Sequence, residues 1–241
     1  MIDTHAHLDA LDDPAAALER ARGVGVDRVI AIGSGRASAE ASRAIAADQP
    51  GVWVAAGVHP HQAADAEDAR SVVTGDIVAV GEIGLDFFRD YAPHDDQRRV
   101  FVEQLELAGE LGKPVIIHCR AAEEETEAIL AAFDGDVVLH CFSTPALLRV
   151  ALERGYYVSF AGNVTFPKAD DLRRAARAVP ADRILAETDC PYLAPQPVRG
   201  KPNEPAHVVH TVGALAETRG EEAAELGERI AANAAAVFGL P

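Results

Sequence analysis

Along the whole chain, short β-branched and apolar runs alternate with longer stretches of helical periodicity. Eight runs read as strands, over 2–7, 28–34, 52–60, 77–86, 114–120, 137–142, 156–162 and 184–192. Helical patterns fall between and after them, at 37–48, 94–111, 121–133, 145–154, 168–179, 205–219 and 221–238, several opening on the prolines and acids of a helix start. Strand and helix alternating eight times predict a parallel sheet. At 241 residues the expected closed form is one α/β domain over 1–241, a (β/α)8 TIM barrel. An open doubly wound sheet would carry a Gly-rich turn after its first strand, and Leu8-Asp9-Ala10-Leu11 is not one. No internal repeat, low-complexity tract or linker interrupts the pattern. The Pro- and Gly-rich stretch 191–205 follows the last strand and reads as a long βα loop.

Composition narrows the class. With 49% hydrophobic and 25% charged residues the chain is expected to be globular and soluble. No apolar run nears the roughly 20 residues that span a bilayer, and no signal-like start is present, so a cytoplasmic setting without membrane contact is expected. Cys119, Cys141 and Cys190 are an odd set in a chain large enough to need no staple, which predicts free thiols. The net charge of −16, with only Lys113, Lys168 and Lys201 as lysines, argues against a broad footprint on duplex DNA. It also fits solubility in a salty cytosol.

The ionisable residues gather at one end of the strands. His5 and His7 close the first, His59 the third, Glu82 and Asp86 the fourth, His118 the fifth; His140 lies near the end of the sixth and Asp189 near that of the eighth. That rim of a barrel is where active sites are built. His5 and His7, two apart in a strand, point the same way. A histidine in an apolar run such as 115–118 is commonly a hydrogen-bonded core residue. Glu82 and Asp189 are harder to explain so, because a carboxylate in an apolar context needs a counter-charge. A divalent metal supplies it. Four imidazoles and two carboxylates suffice for two ions: His5, His7 and Asp189 on one, His118 and His140 on the other, Glu82 between them. Zinc, manganese, nickel or iron fits this donor set, magnesium less so. Alternation turns Cys119 and Cys141 toward the helices as small core residues; Cys190, at a strand end before Pro191, stays a weak site candidate.

The segments DTHAHLD (3–9), GVHP (57–60), VGEIGLD (80–86), PVIIH (114–118), HCFS (140–143), ETDCPYL (187–193) and NEP (203–205) resemble, in order and spacing, the motifs of the TatD family of metal-dependent deoxyribonucleases in the amidohydrolase superfamily. The resemblance implies a (β/α)8 barrel, a binuclear site on His5, His7, Glu82, His118, His140 and Asp189, and hydrolysis of phosphodiester bonds in DNA. Ala121 stands where the family usually has an acid, Pro202 where it has arginine and Thr144 where it has glycine; these changes bear on substrate preference. In such an enzyme Asp189 and Glu82 are the expected catalytic carboxylates, Asp189 taking the proton of the attacking water. His59, Arg120, Lys201 and Asn203 are expected substrate contacts. A site gripping one phosphate needs no long basic track, so single strands or strand ends are the expected DNA, with no obligate protein partner evident. Phe87, Phe88, Tyr91 and Phe166 fall in expected rim loops, where they stack bases or pack the loops; Trp53 is expected in the core. Two other readings compete. A small-molecule amidohydrolase, lactonase or phosphotriesterase keeps the metals, although many of that group bridge them with a modified lysine where Glu82 stands. A metal-holding scaffold without turnover conflicts with ligands that leave room for water.

Overall fold

The computed structural model describes residues 1–65, 69–89 and 91–241. Eight strands, β1 (Ile2–Ala6), β2 (Arg28–Ser34), β3 (Val52–Gly57), β4 (Ala79–Asp86), β5 (Val115–Arg120), β6 (Val137–Leu139), β7 (Tyr157–Phe160) and β8 (Ile184–Ala186), pair in parallel in chain order. Around them lie α1 (Pro14–Gly23), α2 (Arg36–Asp48), α3 (Ala69–Val72), α4 (His94–Leu111), α5 (Glu123–Leu130), α6 (Leu148–Arg154), α7 (Asp170–Ala178), α8 (Val208–Arg219) and α9 (Ala223–Phe238). The architecture is the expected (β/α)8 TIM barrel. No regular ladder between β8 and β1 is seen among the described residues. The seam is closed by residues beyond the end of β8: Asp189 N–H donates to the His5 carbonyl at 3.0 Å, and His7 N–H to the Cys190 carbonyl at 2.9 Å.

The helices form for ordinary reasons. In α4, Val100, Phe101, Leu105, Leu107 and Ala108 line one face and are buried, Asp95 and Asp96 occupy the first turn, and Gly112 closes the helix at φ 61°. α1 is not singled out by the sequence pattern. It starts on Pro14 behind Asp13, whose side chain accepts the Ala16 N–H at 2.9 Å. Its Leu18 joins a small cluster with Ala6, Leu8, Val29 and Cys190. That placement corrects one expectation: Cys190 is fully buried core packing, away from the cavity wall.

Strand ends differ from expectation where the chemistry lies. β6 stops at Leu139 and β8 at Ala186, because Cys141 (φ 44°) and Asp189 (φ 55°) leave the pleated conformation for the left-handed region. His140 and Asp189 therefore sit on turns just past the ladder. No described helix is long and apolar enough to cross a membrane.

Candidate metal centre

The C-terminal ends of the strands open into a cavity of about 850 Å³. Glu82, from β4, lines it while being only 2% exposed. Each of its oxygens has its own imidazoles. Oε2 lies 3.4 Å from His5 Nε2 and 3.7 Å from His7 Nε2. Oε1 accepts hydrogen bonds from His118 Nδ1 at 2.7 Å and His140 Nε2 at 2.8 Å, with His59 Nε2 at 3.4 Å. Asp189 Oδ1 joins the first group, 3.8 Å from His5 Nε2 and 3.5 Å from His7 Nε2, and the two Nε2 atoms are 3.4 Å apart. The His5 and His140 rings stack at 3.9 Å, which joins the two groups into one.

These separations bear on what the cluster can hold. Ligands about 2.1 Å from a tetrahedral ion lie about 3.4 Å from one another. The atoms around Glu82 Oε2 are spaced at 3.4–3.8 Å, the spacing of a ligand shell. The contacts of Oε1 to His118 and His140, at 2.7 and 2.8 Å, are those of charged hydrogen bonds. Buried nitrogen and carboxylate oxygen donors of this kind suit a divalent transition metal.

Electrostatics couples the groups. Burial pushes the Glu82 carboxyl up, but the charges of His140 and His59 and the hydrogen bonds from His118 and His140 outweigh it and hold it well below the ordinary carboxylate range. In return, against burial, Glu82 and Glu187 raise His140 well above its usual value. His118 is raised too, burial being outweighed by Asp86 and Glu82. His59 is less compensated, and burial takes it down to about 4. Asp189 is lowered, its own burial overcome by the His7 hydrogen bond and the charges of His140 and His5.

Several groups that orient this cluster are not among the site residues read from the sequence. Glu187 is buried, and its Oε1 accepts from His140 Nδ1 at 3.0 Å and from Cys141 N–H at 2.7 Å. It aims the other ring nitrogen at Glu82. Its place two residues before Asp189, a second acid directly after the apolar run 184–186, was the available signal. His61 lines the cavity with Nε2 2.7 Å from Asp86 Oδ2, the oxygen that also lies 3.3 Å from His118 Nε2. His59 and His61 repeat the spacing of His5 and His7, and that repeat could have identified the second pair. Asp3 ties β1 to the segment after β8, accepting from Thr188 N–H at 2.9 Å and its hydroxyl at 2.5 Å; burial pushes its carboxyl up to about 8.

The structure brings His5, His7, Glu82, His118, His140 and Asp189 into one cluster, with His59 and Arg120 also on the cavity wall. It does not bring Lys201 or Asn203 there. Lys201 is exposed on the loop after β8. Asn203 is fully buried and spent within that loop: its amide donates to the Thr188 and Tyr192 carbonyls at 2.9 and 2.5 Å, and its Oδ1 faces Glu204 N–H and His207 Nδ1, each at 3.1 Å. It is a loop clamp, not the expected substrate contact. The cysteines also differ. Cys119 packs against the core yet still reaches the cavity wall; burial pushes its thiol up to about 11. Cys141 lines the cavity because its positive φ breaks the alternation that would have turned it away.

A histidine–carboxylate cluster on the C-terminal rim of a parallel barrel places the protein among metal-dependent hydrolases. More particularly, the chain belongs to the TatD family: the model described as TatD related DNase matches residues 2–239. It is 35% identical over 251 residues to the uncharacterized metal-dependent hydrolase YabD of Bacillus subtilis, covering 99% of this chain and 98% of that protein. It is 38% identical over 244 residues to the 3′–5′ ssDNA/RNA exonuclease TatD of Pantoea vagans, covering 95% and 94%. The crystal structure of YJJV, a TatD homolog from Escherichia coli K12, superposes with a TM-score of 0.88 at 29% identity over 100% of this chain and 98% of that one.

Proposed function

We propose that this protein hydrolyses phosphodiester bonds of DNA, in single strands or at strand ends, using two divalent ions that His5, His7, Glu82, His118, His140 and Asp189 would hold. The observation that carries the reading is the division of Glu82: Oε2 faces His5 and His7, Oε1 faces His118 and His140. In this assignment His5, His7 and Asp189 would hold one ion and His118 and His140 the other, with Glu82 contributing to both. Divalent ions held there supply Lewis-acid polarisation of a phosphoryl oxygen and lower the pKa of water. The chain's own residues do the rest. Asp189, kept ionised and on the cavity wall, accepts the proton of the attacking water. Glu82 stays ionised and orients the imidazoles around it. His59 and Arg120 contact substrate from the wall. The relative named as a single-strand exonuclease supports this substrate class, and the free cysteines support a reducing, cytoplasmic setting.

The test is metal-reconstituted protein incubated with end-labelled single- and double-stranded DNA, beside Asp189→Asn. Hydrolysis is expected to vanish with a chelator and to fall about a hundredfold or more in the variant. Comparable activity in Asp189→Asn removes that residue from its role. Turnover of a lactone with no nucleotide released from either DNA returns the protein to small-molecule hydrolysis.

A further inference from the structure

Phe88, Tyr91 and Tyr192 are the only aromatic residues among the exposed large hydrophobic side chains of the described residues, at 60%, 62% and 58%. One lines the metal-centre cavity and the other two pack against residues that line it. Tyr192 lines it and meets His7 edge-on at 5.8 Å between ring centroids. Tyr91 meets His61 edge-on at 4.8 Å. Phe88 lies beneath the Arg120 guanidinium at 4.0 Å and near that of Arg89 at 5.5 Å. Among the described residues, Arg89 and Arg120 are also the only Lys or Arg side chains on the cavity wall. In a chain of net charge −16, both cavity arginines lie beside one exposed ring.

The segment that presents Phe88 is anchored to the site. Asp86 Oδ1 accepts the N–H of Phe88 and of Arg89, each at 2.9 Å, while its Oδ2 reaches His61 and His118. Buried Gln97 of α4 clamps both sides of the turn: Oε1 accepts Asp86 N–H at 2.8 Å, and Nε2 donates to the Asp86 and Ala92 carbonyls at 3.1 and 3.0 Å. Packing within the loop does not account for Phe88, which stays 60% exposed even with Arg120 over its ring. Leaving a large ring exposed on a held backbone makes sense if something flat lies on it.

We infer that Phe88 is a nucleobase platform, with Arg89 and Arg120 holding the adjoining phosphates and Tyr91 and Tyr192 flanking the strand, so that the cavity takes unpaired bases. This inference rests on the phosphodiesterase reading above. A ring beside two guanidiniums is the arrangement that serves single strands without sequence preference, because every base offers a π-face. A base stacked inside a duplex has both faces covered and cannot use it.

The test compares the metal-loaded wild type with Phe88→Ala and Phe88→Trp on two single strands of equal length, an oligothymidylate and one of abasic sites carrying the same phosphates. A 2-aminopurine strand with phosphorothioate linkages reports stacking through its fluorescence. Wild type is expected to show a KM about tenfold lower for the base-bearing strand and to quench 2-aminopurine. Phe88→Ala is expected to lose both effects with kcat on the abasic strand unchanged, and Phe88→Trp to restore them. Hydrolysis of both strands with equal KM, and no change in Phe88→Ala, overturns the platform while leaving the phosphodiesterase reading in place. Failure of the wild type to act on either strand overturns both.

Discussion

At the scale of single residues, Glu187 shows how much of the centre lies behind the side chains proposed to hold the metal. It does not line the cavity, yet its Oε1 fixes His140 Nδ1 and so turns Nε2 toward Glu82. Glu187→Gln is therefore expected to weaken metal binding about 10- to 100-fold, measured by competition with a chelator. Loss of activity at unchanged metal affinity would point to a different role. Protons compete for the same atoms. His118 and His140 have raised pKa values in the metal-free protein, burial being overcome by their carboxylate partners. They hold protons at a pH where a free imidazole would be losing them, so loading a metal must expel protons. Affinity should fall as pH drops through that raised range, and calorimetry at pH 7 in buffers of differing ionisation heat should report proton release. Heats that do not depend on buffer contradict this. That His5, His7, Glu82, His118, His140 and Asp189 would gather was legible because they fall near the C-terminal ends of their strands, and Glu82 and Asp189 also because a carboxylate in an apolar context needs a counter-charge. Asn203 misled for a related reason: a polar side chain beside the site in sequence can spend all its hydrogen bonds on the loop that carries it.

At the scale of elements, the centre depends on how closely β4 and β5 approach. A Cβ on Gly84, at φ 137°, would lie 2.0 Å from the His118 carbonyl oxygen, and one on Gly81 would lie 2.6 Å from Ile116 Cβ. Neither neighbour can yield cheaply, since one is backbone and the other is branched core. Gly84→Ala should cost about 1–3 kcal/mol or more of stability in chemical denaturation, and it should displace His118 enough to weaken metal binding as well. A variant of unchanged stability and metal content would show that the seam yields. The same elements mark where sequence reading stops. The bounds of α4 were legible because an apolar stripe, a first-turn acid pair and a closing glycine agree. The ends of β6 and β8 were not, because no Gly or Pro lies within three residues after Leu139 or Ala186 to mark where the backbone turns away from the ladder. Period-two alternation fails at Cys141 for that reason, on the turn that also carries His140.

At the scale of the molecule, the question is how a chain of net charge −16 holds a polyanion. Such a charge repels itself, and salt screens that repulsion, so the melting temperature should rise between low and molar salt. An unchanged value would mean the acidic residues are already neutralised locally. The same field opposes an approaching strand, which leaves attraction to the few cations that face the cavity. If Arg89 and Arg120 are the ones that pair with phosphates, single-strand binding should weaken with salt at a logarithmic slope of about −1.4, from about −0.7 for each phosphate neutralised. Screening of the protein's own negative field works the other way and makes the observed slope shallower still. Arg120→Ala should remove about half of it. A slope several times steeper would require a basic track outside the cavity, and the charge distribution of this chain would then have been misread. A shallow slope would mean that the protein selects strands by close contact at the cavity mouth, with long-range attraction contributing little.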